Sequence, residues 1–386
     1  MLALSLFHAI ALTLLAALGA QTVLNARAIR RLRSATRPSR WPTVSVLIPA
    51  RNEAARIEAC MQAWRAQDYP RYEVVVCDDE STDDTARLAR GAGEGATNVR
   101  VIDAGRLPAG WRGKTHACHR LREQARGEVL LFVDVDVVPQ PSALTAAMAA
   151  RETLTADALS ALPSHAPIPA RLRAVAGVQN WAAMTFVPSW VTALRRHPVV
   201  AVMNGQFVAI PAVVYDAVRG FAAVYDSLSE DTALGRRLVA AGYRVDLVDG
   251  SALLACRSYT KLADLWRGNV RNLRAVLLGS PWLLALSATC LTALFLGPLV
   301  VLLVGAVLGR TGSLAWTWLP LAEAALGIGA RAFVDRRSGH GAWLAIAHPV
   351  AVAALAAMQM DAIARTIGRR EVDWRGRRYR LTDETV

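Results

Sequence analysis

The sequence predicts an α/β domain with a mainly parallel, doubly wound sheet, and apolar membrane helices at both ends of the chain. Two observations lead to this prediction. In the middle of the chain, short continuous apolar runs alternate with stretches of helical composition, as in parallel sheets that are covered on both faces. On either side lie long runs without charged residues, and about 20 apolar residues are enough to span a bilayer as a helix.

Four apolar stretches are long enough to cross a membrane. Residues 1–26, 275–309 and 341–360 contain no Asp, Glu, Lys or Arg, and residues 311–330 contain only Glu323. The first stretch has no basic residue ahead of its apolar core and is followed by the basic cluster RAIRRLRSATRPSR, so we expect an uncleaved anchor rather than a signal peptide. Because Lys and Arg collect on the cytoplasmic side, the chain after this anchor is expected in the cytoplasm.

The sequence therefore predicts a multi-pass protein of the cell membrane with four segments. We expect an N-terminal anchor at residues 1–26, a cytoplasmic domain at 41–274, transmembrane or interfacial helices at 275–364, and a basic cytoplasmic tail at 365–386. These boundaries follow the changes in hydropathy and charge along the chain.

The number of crossings near the C terminus stays open at this level. Three spans after the cytoplasmic domain would leave the basic tail outside, whereas an even number would keep it inside. Two alternatives give an even number. The last stretch re-enters or lies in the interface around His348 and Pro349, or the stretch 275–309 is broken into a hairpin at Gly297 and Pro298.

The excess of basic charge indicates a membrane surface as partner and no nucleic acid. The formal net charge is +13, and the arginine clusters at residues 27–40, 331–337 and 365–380 flank apolar segments, where anionic head groups are met. No zinc-finger spacing or aromatic RNA-binding signature accompanies them. The five cysteines are scattered without closely spaced pairs, which indicates reduced thiols.

Four apolar runs in the middle part predict strands, and three further stretches predict helices. The strands are Val44 to Ile48, Glu73 to Cys77, Val99 to Ile102 and Val129 to Val133. The helices are Glu53 to Gln67, Asp83 to Ala92 and Lys114 to Ala125. Ligands of such sheets bind outside the carboxyl ends of the strands.

Acidic and polar residues stand at three of these strand ends. PARNE at 49–53 follows the first strand, DDESTDD at 78–84 follows the second, and DVD at 134–136 follows the fourth. Crowded carboxylates repel one another unless a cation lies between them, and Mg²⁺ prefers one or two carboxylates together with phosphate oxygens. The pattern therefore predicts a divalent metal, Mg²⁺ or Mn²⁺, that bridges to a diphosphate.

Five motifs in this order resemble an inverting family 2 glycosyltransferase. They are VSVLIPARNE, VVVCDDESTDDT, GWRGKTHACHRL, GEVLLFVDVDVVPQPSAL and SEDTALGRRLVAAGY, and together they cover roughly residues 42–272. The resemblance implies the Rossmann-like nucleotide-diphospho-sugar transferase fold, called GT-A, and sugar transfer from a nucleotide-diphospho-sugar. Within the family, the chain is most similar to membrane-anchored enzymes that glycosylate carotenoid-type or hopanoid-type polyisoprenoid lipids.

The resemblance also implies roles for individual residues in binding the sugar nucleotide. It places these residues at the nucleotide-sugar site: Pro49, Arg51, Glu53, Asp78, Asp79, Lys114 and Asp134. Asp78 and Asp79 are expected beside the base or ribose, and Lys114 beside the donor phosphates. Asp134 and Asp136 match the metal motif of the family, with Asp136 favoured as the direct ligand. Asp231, with Glu230 beside it, matches the expected general base for the acceptor.

Structural alternatives stand beside several of these roles. Thr82 or Asp83 is expected to cap the following helix, and one of Glu230 and Asp231 is an equally good helix cap. Asp134 and Asp136 would be a solvated loop in the simpler interpretation, but carboxylates at i and i+2 point the same way from an extended chain.

One departure from the family pattern concerns two arginines. Polymerising members carry Gln or Arg, two further residues, then Arg-Trp, whereas this chain has LWRGNVRNL, which argues against a processive polysaccharide synthase. Arg267 and Arg271 are one helical turn apart, and their role stays open between the diphosphate and lipid head groups.

Two other functions remain as alternatives: a membrane-bound nucleotidyltransferase, and a non-catalytic membrane scaffold that keeps a sugar-nucleotide fold. The first would need a Gly-rich signature near the first strand end, where PARNEAAR stands instead. The second would need none of the acidic residues.

The segment 163–200 interleaves aromatic and basic residues, including Trp181 and Trp190 with Arg195 and Arg196. This pattern predicts an interfacial helix that guides a lipid acceptor into the site. An ordinary amphipathic core helix is the alternative.

Overall fold

The structure is a computed structural model, and it describes residues 2–165, 169–188, 190, 201, 203–227, 229–257, 261–277, 280–339, 341–368, 372–374 and 377–379. The chain divides into two compact units. The helical unit comprises Met1–Ala28, Ile168–Pro188 and Tyr259–Val372. The sheet unit comprises Ile29–Pro167, Ser189–Ser258 and Asp373–Val386.

A seven-stranded sheet forms the centre of the sheet unit. Its strands in chain order are β1 Val44–Ala50, β2 Tyr72–Asp78, β3 Val99–Asp103, β4 Val129–Val133, β6 Ala158–Leu162, β8 Phe207–Pro211 and β9 Val245–Asp249. Their spatial order is β3-β2-β1-β4-β8-β6-β9. Strands β3, β2, β1 and β4 are parallel neighbours, as are β6 and β9, whereas β8 runs antiparallel to both β4 and β6. The four predicted strands are therefore confirmed in a mainly parallel sheet.

Two smaller sheets contain the remaining strands. Three short strands pair in the order β5-β10-β7, with β5 at Val137–Pro139, β7 at Ser164–His165 and β10 at Leu254–Cys256. Near the C terminus, β11 Val372–Trp374 and β12 Arg377–Tyr379 form a two-stranded sheet. Strand β5 begins directly after the DVD motif, so its pairing with β10 anchors the residues that follow the end of β4.

Helices cover both faces of the large sheet. They are α2 Ile57–Arg65, α3 Thr85–Gly93, α4 Gly113–Gln124, α5 Ala143–Leu154, α7 Ala212–Ala217 and α8 Glu230–Ala240. Alternate residues of β1 point to opposite faces: Val46 packs in the cluster that contains Trp64 of α2, and Leu47 packs in the cluster that contains Leu121 of α4. This burial on both faces is why β1 is a continuous apolar run.

The helical unit is built from long helices. They are α1 Leu2–Ala28, α6 Ala170–Phe186, α9 Leu262–Val276, α10 Pro281–Leu291, α11 Gly297–Val307, α12 Leu319–Arg337 and α13 His348–Ile367. A π-helical turn at Thr292–Leu296 joins α10 to α11, so one helix runs over Pro281–Val307. The predicted hairpin at Gly297 and Pro298 is therefore wrong. Pro298 lies inside this continuous helix, directly after the π-helical turn, and such a local change of hydrogen-bond spacing accommodates a residue without an N–H.

Three helices in the described part of the chain are long and apolar enough to cross a membrane. They are Leu2–Ala28, Pro281–Val307 and Ala342–Ile367. Large apolar side chains stay exposed along them, among them Leu6, Leu303 and Ile346. The fourth apolar stretch forms α12 instead, which extends into charged residues and does not meet the same criterion.

Charged side chains of the helical unit are buried in pairs. Arg331 Nε donates to both carboxylate oxygens of Asp335 at 2.8 and 2.9 Å, and each of these side chains is 1% exposed. His8 Nδ1 lies 2.8 Å from Glu323 Oε1. Burial of these charges is tolerated because each has an opposite or hydrogen-bonding partner.

Helix α6 is part of the core of this unit. Trp181 is 0% exposed, and its ring contacts Phe295 and His348 at centroid distances of 5.0 and 4.6 Å. Trp181 therefore packs against protein, as the core-helix alternative expects, and a lipid-guiding role of this segment stays a prediction. Arg195 and Arg196 lie outside the described residues.

Candidate functional site

The loops that follow β1 and β2 are tied to each other. Arg51 donates from Nη1 to the backbone carbonyls of Asp79 and Glu80, the second at 2.8 Å. Asn52 Oδ1 accepts the backbone N–H of Thr82 at 2.9 Å. Asn52 and Glu80 both adopt positive φ, at 51° and 52°, and strained backbone of this kind is typical of functional sites.

Glu53 and Asp83 complete this connection. The backbone N–H of Glu53 donates to Thr85 Oγ1 at 2.7 Å, and Glu53 Oε2 pairs with Arg56 at 3.0 Å. Asp83 accepts the backbone N–H of Thr85 at 3.0 Å, at the start of α3. Burial by itself would raise the pKa of Asp83, but the hydrogen bonds that Asp83 accepts from Thr85 and from the backbone of Ala54 together lower it. Asp83 thus accepts the first backbone N–H of α3, although the N-cap position itself is Asp84, and the contacts of Arg51 and Glu53 hold the two loops in place.

Asp78 and Asp79 are buried at the end of β2. Asp78 Oδ2 accepts the backbone N–H of Ser81 at 3.2 Å. Asp79 is 2% exposed, and its Oδ2 accepts a hydrogen bond from Arg377 Nη1 of β12. Burial raises the pKa of Asp79, and Arg377 opposes that shift.

A small cavity lies at the ends of β1 and β4, beside the start of α8. Its lining combines charged with apolar residues: Pro49, Lys114, Cys118, Phe132, Val133, Asp134, Gly205, Val208, Phe221, Glu230 and Asp231. Residues from four separate sequence motifs thus meet at one place. They meet because β1 and β4 are adjacent parallel strands, whose carboxyl ends share one edge of the sheet.

Lys114 bridges two carboxylates in this cavity. Its Nζ lies 2.8 Å from Asp134 Oδ1 and 2.8 Å from Glu230 Oε1. Burial favours the neutral amine, but these two carboxylates outweigh it and raise the pKa of Lys114 well above its usual value. Burial raises the pKa of Asp134 to about 6, with Asp136 adding to the shift and Lys114 opposing it. The cavity therefore holds one firmly charged cation among several acids.

Asp231 stands in the first turn of α8 and is held by backbone groups. Its Oδ2 accepts the N–H of Gly205 at 2.8 Å, and its Oδ1 accepts the N–H of Thr232 at 2.7 Å. Burial and the neighbouring Glu230 raise the pKa of Asp231. A carboxylate oxygen has two lone pairs, so each oxygen keeps capacity to accept a proton from a ligand.

The residues at the end of β4 suit a hard divalent cation that is shared with phosphate. Asp134 and Asp136 supply carboxylate oxygens, which Mg²⁺ and Mn²⁺ prefer. Within the described residues, no group of three or more His, Cys, Asp or Glu side chains could hold a metal ion by itself. The donor set therefore fits a metal whose remaining ligands come from a diphosphate and water, as Mg²⁺ sites with substrate phosphates commonly have.

The structure brings together five of the residues predicted from sequence and places the others nearby or elsewhere. One cavity is lined by five of them: Pro49, Lys114, Asp134, Glu230 and Asp231. Arg51, Glu53, Asp78 and Asp79 lie in the adjoining loops of the same unit. Arg267 and Arg271 lie on α9 in the helical unit, where Arg267 pairs with Asp264 at 2.8 Å and Arg271 is exposed.

Sequence reasoning missed three residues around these acids. Gly205 donates to Asp231, and a Cβ at this position would lie 3.1 Å from Asp231 Oδ2. Gly113 and Arg377 meet beside Asp79. The sequence signals for these residues were Gly113 in the motif GWRGK and the basic composition of the tail. Neither signal indicates which carboxylate is contacted.

Comparisons with known proteins identify the family and the fold of the chain. A family model described as "Glycosyltransferase like family 2" matches residues 42–276. Proteins named 4,4'-diaponeurosporenoate glycosyltransferase from Staphylococcus aureus and Staphylococcus haemolyticus are 41% and 37% identical to the chain over 95 residues. The chain spans 24% of the length of these curated relatives, and the match covers 25% of the chain.

Among solved structures, a mannosyltransferase from Pyrobaculum calidifontis in complex with GDP-Man and Mn²⁺ is similar to the chain along almost its whole length. The TM-score is 0.51 at 20% sequence identity, with 94% of this chain and 99% of that chain covered. The likeness shows the fold, and it confirms the predicted GT-A architecture.

Proposed function

Because the chain belongs to the glycosyltransferase-like family 2, we propose that it transfers a sugar from a nucleotide-diphospho-sugar to a lipid acceptor at a membrane. The observation that carries the proposal is the convergence of Lys114, Asp134 and Asp231 on one cavity. These residues offer a cation for phosphate, a carboxylate for a metal ion, and a second carboxylate for the acceptor.

The donor would lie along the carboxyl ends of β1, β2 and β4. Residues of the first two strand ends would hold the nucleoside: Pro49, Arg51, Glu53, Asp78 and Asp79. Lys114 would face the donor phosphates. The relative from Pyrobaculum calidifontis was solved with a nucleotide sugar and Mn²⁺, which supports a donor and a divalent metal of these classes here.

Asp134 and Asp136 would hold the metal, with Asp136 as the direct ligand. When bound, the cation supplies positive charge that stabilises the departing diphosphate. Lys114 keeps the neighbouring carboxylates partly neutralised, so that the cavity can accept an anionic leaving group.

Asp231 would remove the proton from an acceptor hydroxyl. The backbone N–H groups of Gly205 and Thr232 fix its carboxylate, so its remaining lone pairs point in defined directions. Direct attack of the deprotonated oxygen on the sugar carbon, opposite the diphosphate, inverts the configuration at that carbon. Glu230 would stay paired with Lys114 during this step.

The acceptor would be a polyisoprenoid, carotenoid-like or hopanoid-like lipid. The names of the two staphylococcal relatives indicate a carotenoid-type acid as their acceptor. The match to this chain covers 24% of the length of each relative. The candidate spans of this chain expose apolar side chains, which suits contact with lipid.

We also propose that the sheet unit and the C-terminal tail lie on the cytoplasmic side of a cell membrane. With three crossings, two spans separate the sheet unit from the tail, so both are on the same side. The contact between Arg377 and Asp79 supports this arrangement, as does the basic cluster that follows α1. The domain boundaries expected from sequence, at residues 26, 41, 274 and 364, stay predictions for the limits of anchor, catalytic domain and tail.

Purified full-length protein in lipid nanodiscs tests this function. UDP-glucose and GDP-mannose are offered with Mn²⁺, with Mg²⁺ or with EDTA, together with a long-chain polyprenol or a carotenoid acid. We expect release of nucleoside diphosphate and a glycosylated lipid in the mass spectrum, both lost in EDTA. Release of sugar 1-phosphate, with the nucleoside monophosphate transferred, would indicate a nucleotidyltransferase, and no turnover of any donor with either metal would indicate a scaffold.

Asp231→Asn tests the general base. The amide cannot accept the proton, so turnover with a hydroxyl acceptor should fall by about a hundredfold or more while donor binding is kept. A carboxyl acceptor is already ionised near neutral pH, so with such an acceptor the loss should be small. The control is Asp216→Asn, which changes a surface carboxylate paired with Arg122. Unchanged turnover of a hydroxyl acceptor would assign Asp231 to the helix start alone.

A further inference from the structure

Strand β12 brings a tail arginine to the carboxylates that follow β2. Arg377 Nη1 donates to Asp79 Oδ2, and Arg377 Nη2 donates to Glu80 Oε2 at 2.6 Å. The arginine side chain is only 12% exposed, although it lies near the C terminus of the chain. The two-pronged contact uses the fixed fork of the guanidinium group, which a lysine cannot reproduce.

Helix α4 is shaped to receive this guanidinium group. A Cβ added to Gly113 would overlap Arg377 Nη1 and Asp79 Oδ2. The first residue of α4 therefore has to be glycine for the arginine and the aspartate to meet there. This fit distinguishes the contact from an ordinary surface ion pair.

Two buried polar atoms near the contact between Arg377 and Asp79 have no hydrogen-bond partner among the described residues. These atoms are Asp79 Oδ1 and His116 Nδ1. His116 lies one turn after Gly113 on α4, and its ring packs at 5.8 Å from the ring of Trp111. Buried polar atoms are normally paired, so these two atoms, both close to Arg377, can be paired by a ligand that enters beside the ion pair.

We propose that Arg377 is a positioning residue that completes a nucleoside subsite formed with Asp79 and His116. Arg377 holds Oδ2 of Asp79, so that Oδ1 is aimed at a hydrogen-bond donor of the nucleoside, on the ribose or on the base. This inference rests on the proposed function, because it requires a nucleotide donor. It adds the tail to the binding site and makes the identity of the nucleoside depend on residues that are 298 positions apart in sequence.

Electrostatics favour this positioning role over the alternative that Arg377 is a plug, which would block the nucleoside site. Asp79 is almost fully buried, and a buried carboxylate without a cation is costly. Arg377 neutralises that charge and leaves one carboxylate oxygen available.

The test uses isothermal titration calorimetry on the full chain in detergent with Mn²⁺. UDP, GDP, ADP and pyrophosphate are titrated into the parent, Arg377→Ala and Arg377→Lys. We expect the preferred nucleoside diphosphate to bind at least tenfold more weakly to Arg377→Ala, since a hydrogen bond to a charged group is lost. Arg377→Lys should recover part of the affinity. Pyrophosphate should bind all three proteins within about twofold, because its contacts lie at Lys114 and Asp134. The control is Arg90→Ala, whose arginine pairs with Asp103 on the surface.

Steady-state kinetics add a second readout. Arg377→Ala should raise KM for the preferred donor and reduce its preference over the other nucleotides, with kcat nearly kept. 2'-Deoxy-UDP compared with UDP, or the matching pair for another base, shows whether the ribose or the base donates to Asp79.

Four outcomes separate the possibilities. If the parent binds none of the three nucleoside diphosphates, the proposed function fails and this inference falls with it. If the parent binds one and Arg377→Ala binds it equally well, this inference alone is overturned. Tighter binding by Arg377→Ala would show a plug and would also overturn it. Loss of pyrophosphate binding in Arg377→Ala and Arg377→Lys would show that the contact maintains the fold instead.

Discussion

The two units of the molecule use charged residues in opposite ways. In the sheet unit, Asp134 at the end of β4 and Lys114 in the first turn of α4 line a cavity and stay partly accessible. In the helical unit, Arg331 and Asp335 are fully buried and bind each other. The difference teaches that a charge in an apolar sequence segment is not by itself evidence of a site, because an ion pair with a neighbouring residue already accounts for its burial.

Glycine shows the same contrast. Gly177 of α6 lets Arg331 lie against the helix backbone, where Arg331 Nη2 donates to the carbonyl of Ala174 at 2.9 Å. Gly205 lets a backbone N–H reach Asp231 in the sheet unit. The first close approach joins two helices, whereas the second orients a reactive carboxylate. The comparison predicts that substitutions in the sheet unit change activity, and that substitutions in the helical unit change stability.

Asp136→Ala should have the largest effect. It removes a carboxylate from the proposed metal site, and loss of several kcal/mol of charge stabilisation corresponds to a fall in turnover of about a thousandfold. Melting temperature should stay within about 2 °C of the parent, since Asp136 is part of a strand-end loop rather than of the core. Turnover is measured as metal-dependent release of nucleoside diphosphate, and melting by circular dichroism.

The control for this variant is Asp84→Asn, which changes an exposed carboxylate paired with Arg87 on α3. It should keep full turnover. If the turnover of Asp136→Ala is within a few-fold of that of the parent at saturating Mn²⁺, Asp136 is not a metal ligand. The proposed difference between the charges of the two units would then lose its main support.

Arg331→Met should have an intermediate effect, on stability. It leaves Asp335 as a buried, unpaired charge, which costs about 3 kcal/mol or more. We expect a fall in melting temperature of several degrees for the full chain in detergent. Turnover per folded molecule and KM for the donor should stay at parent values, because α12 is outside the sheet unit.

The double variant Arg331→Met, Asp335→Leu should recover most of the lost stability, since both buried charges are then absent. A changed KM for the donor in Arg331→Met, with normal melting, would show that this pair acts on the site. The separation between the two units would then fail.

Gly205→Ala should have the smallest effect. The added Cβ would lie 3.1 Å from both Cβ and Oδ2 of Asp231, so the carboxylate has to move by a few tenths of an ångström. A shift of this size in a positioned base should lower kcat about fivefold, or about 1 kcal/mol, with KM for the donor unchanged. Stopped-time assays over donor concentration separate the two constants. An unchanged kcat would indicate that the position of Asp231 does not limit the reaction.

Most of the sheet was predictable from local pattern. The apolar runs at β1, β2 and β4 are largely buried, and such burial requires a mostly hydrophobic sequence, whereas the partly exposed β3 was predicted from its alternating apolar residues. The acidic strand ends were predictable for the same reason, because parallel neighbours end at one edge. The resemblance then supplied Lys114 and Asp231, which no local pattern indicates.

Membrane segments were predictable in position but not in shape. Hydropathy found the three candidate spans, since an apolar helix must be long enough to cross. It did not predict that Gly297 and Pro298 would continue a helix, because the π-helical turn that precedes them is not visible in hydropathy. It also did not predict that Trp181 would be buried, because a sequence shows which side chains are amphipathic but not which helices pack on them.

The sequence by itself determined which polar residues follow each buried strand along the chain. It also determined which segments are apolar enough to cross a bilayer. Only the tertiary structure decided the partners of the charges. Lys114 joins Asp134 to Glu230, Gly205 holds Asp231, and Arg377 reaches Asp79 across almost the whole chain. Such pairings depend on distances between segments remote in sequence, and neither periodicity nor composition contains those distances.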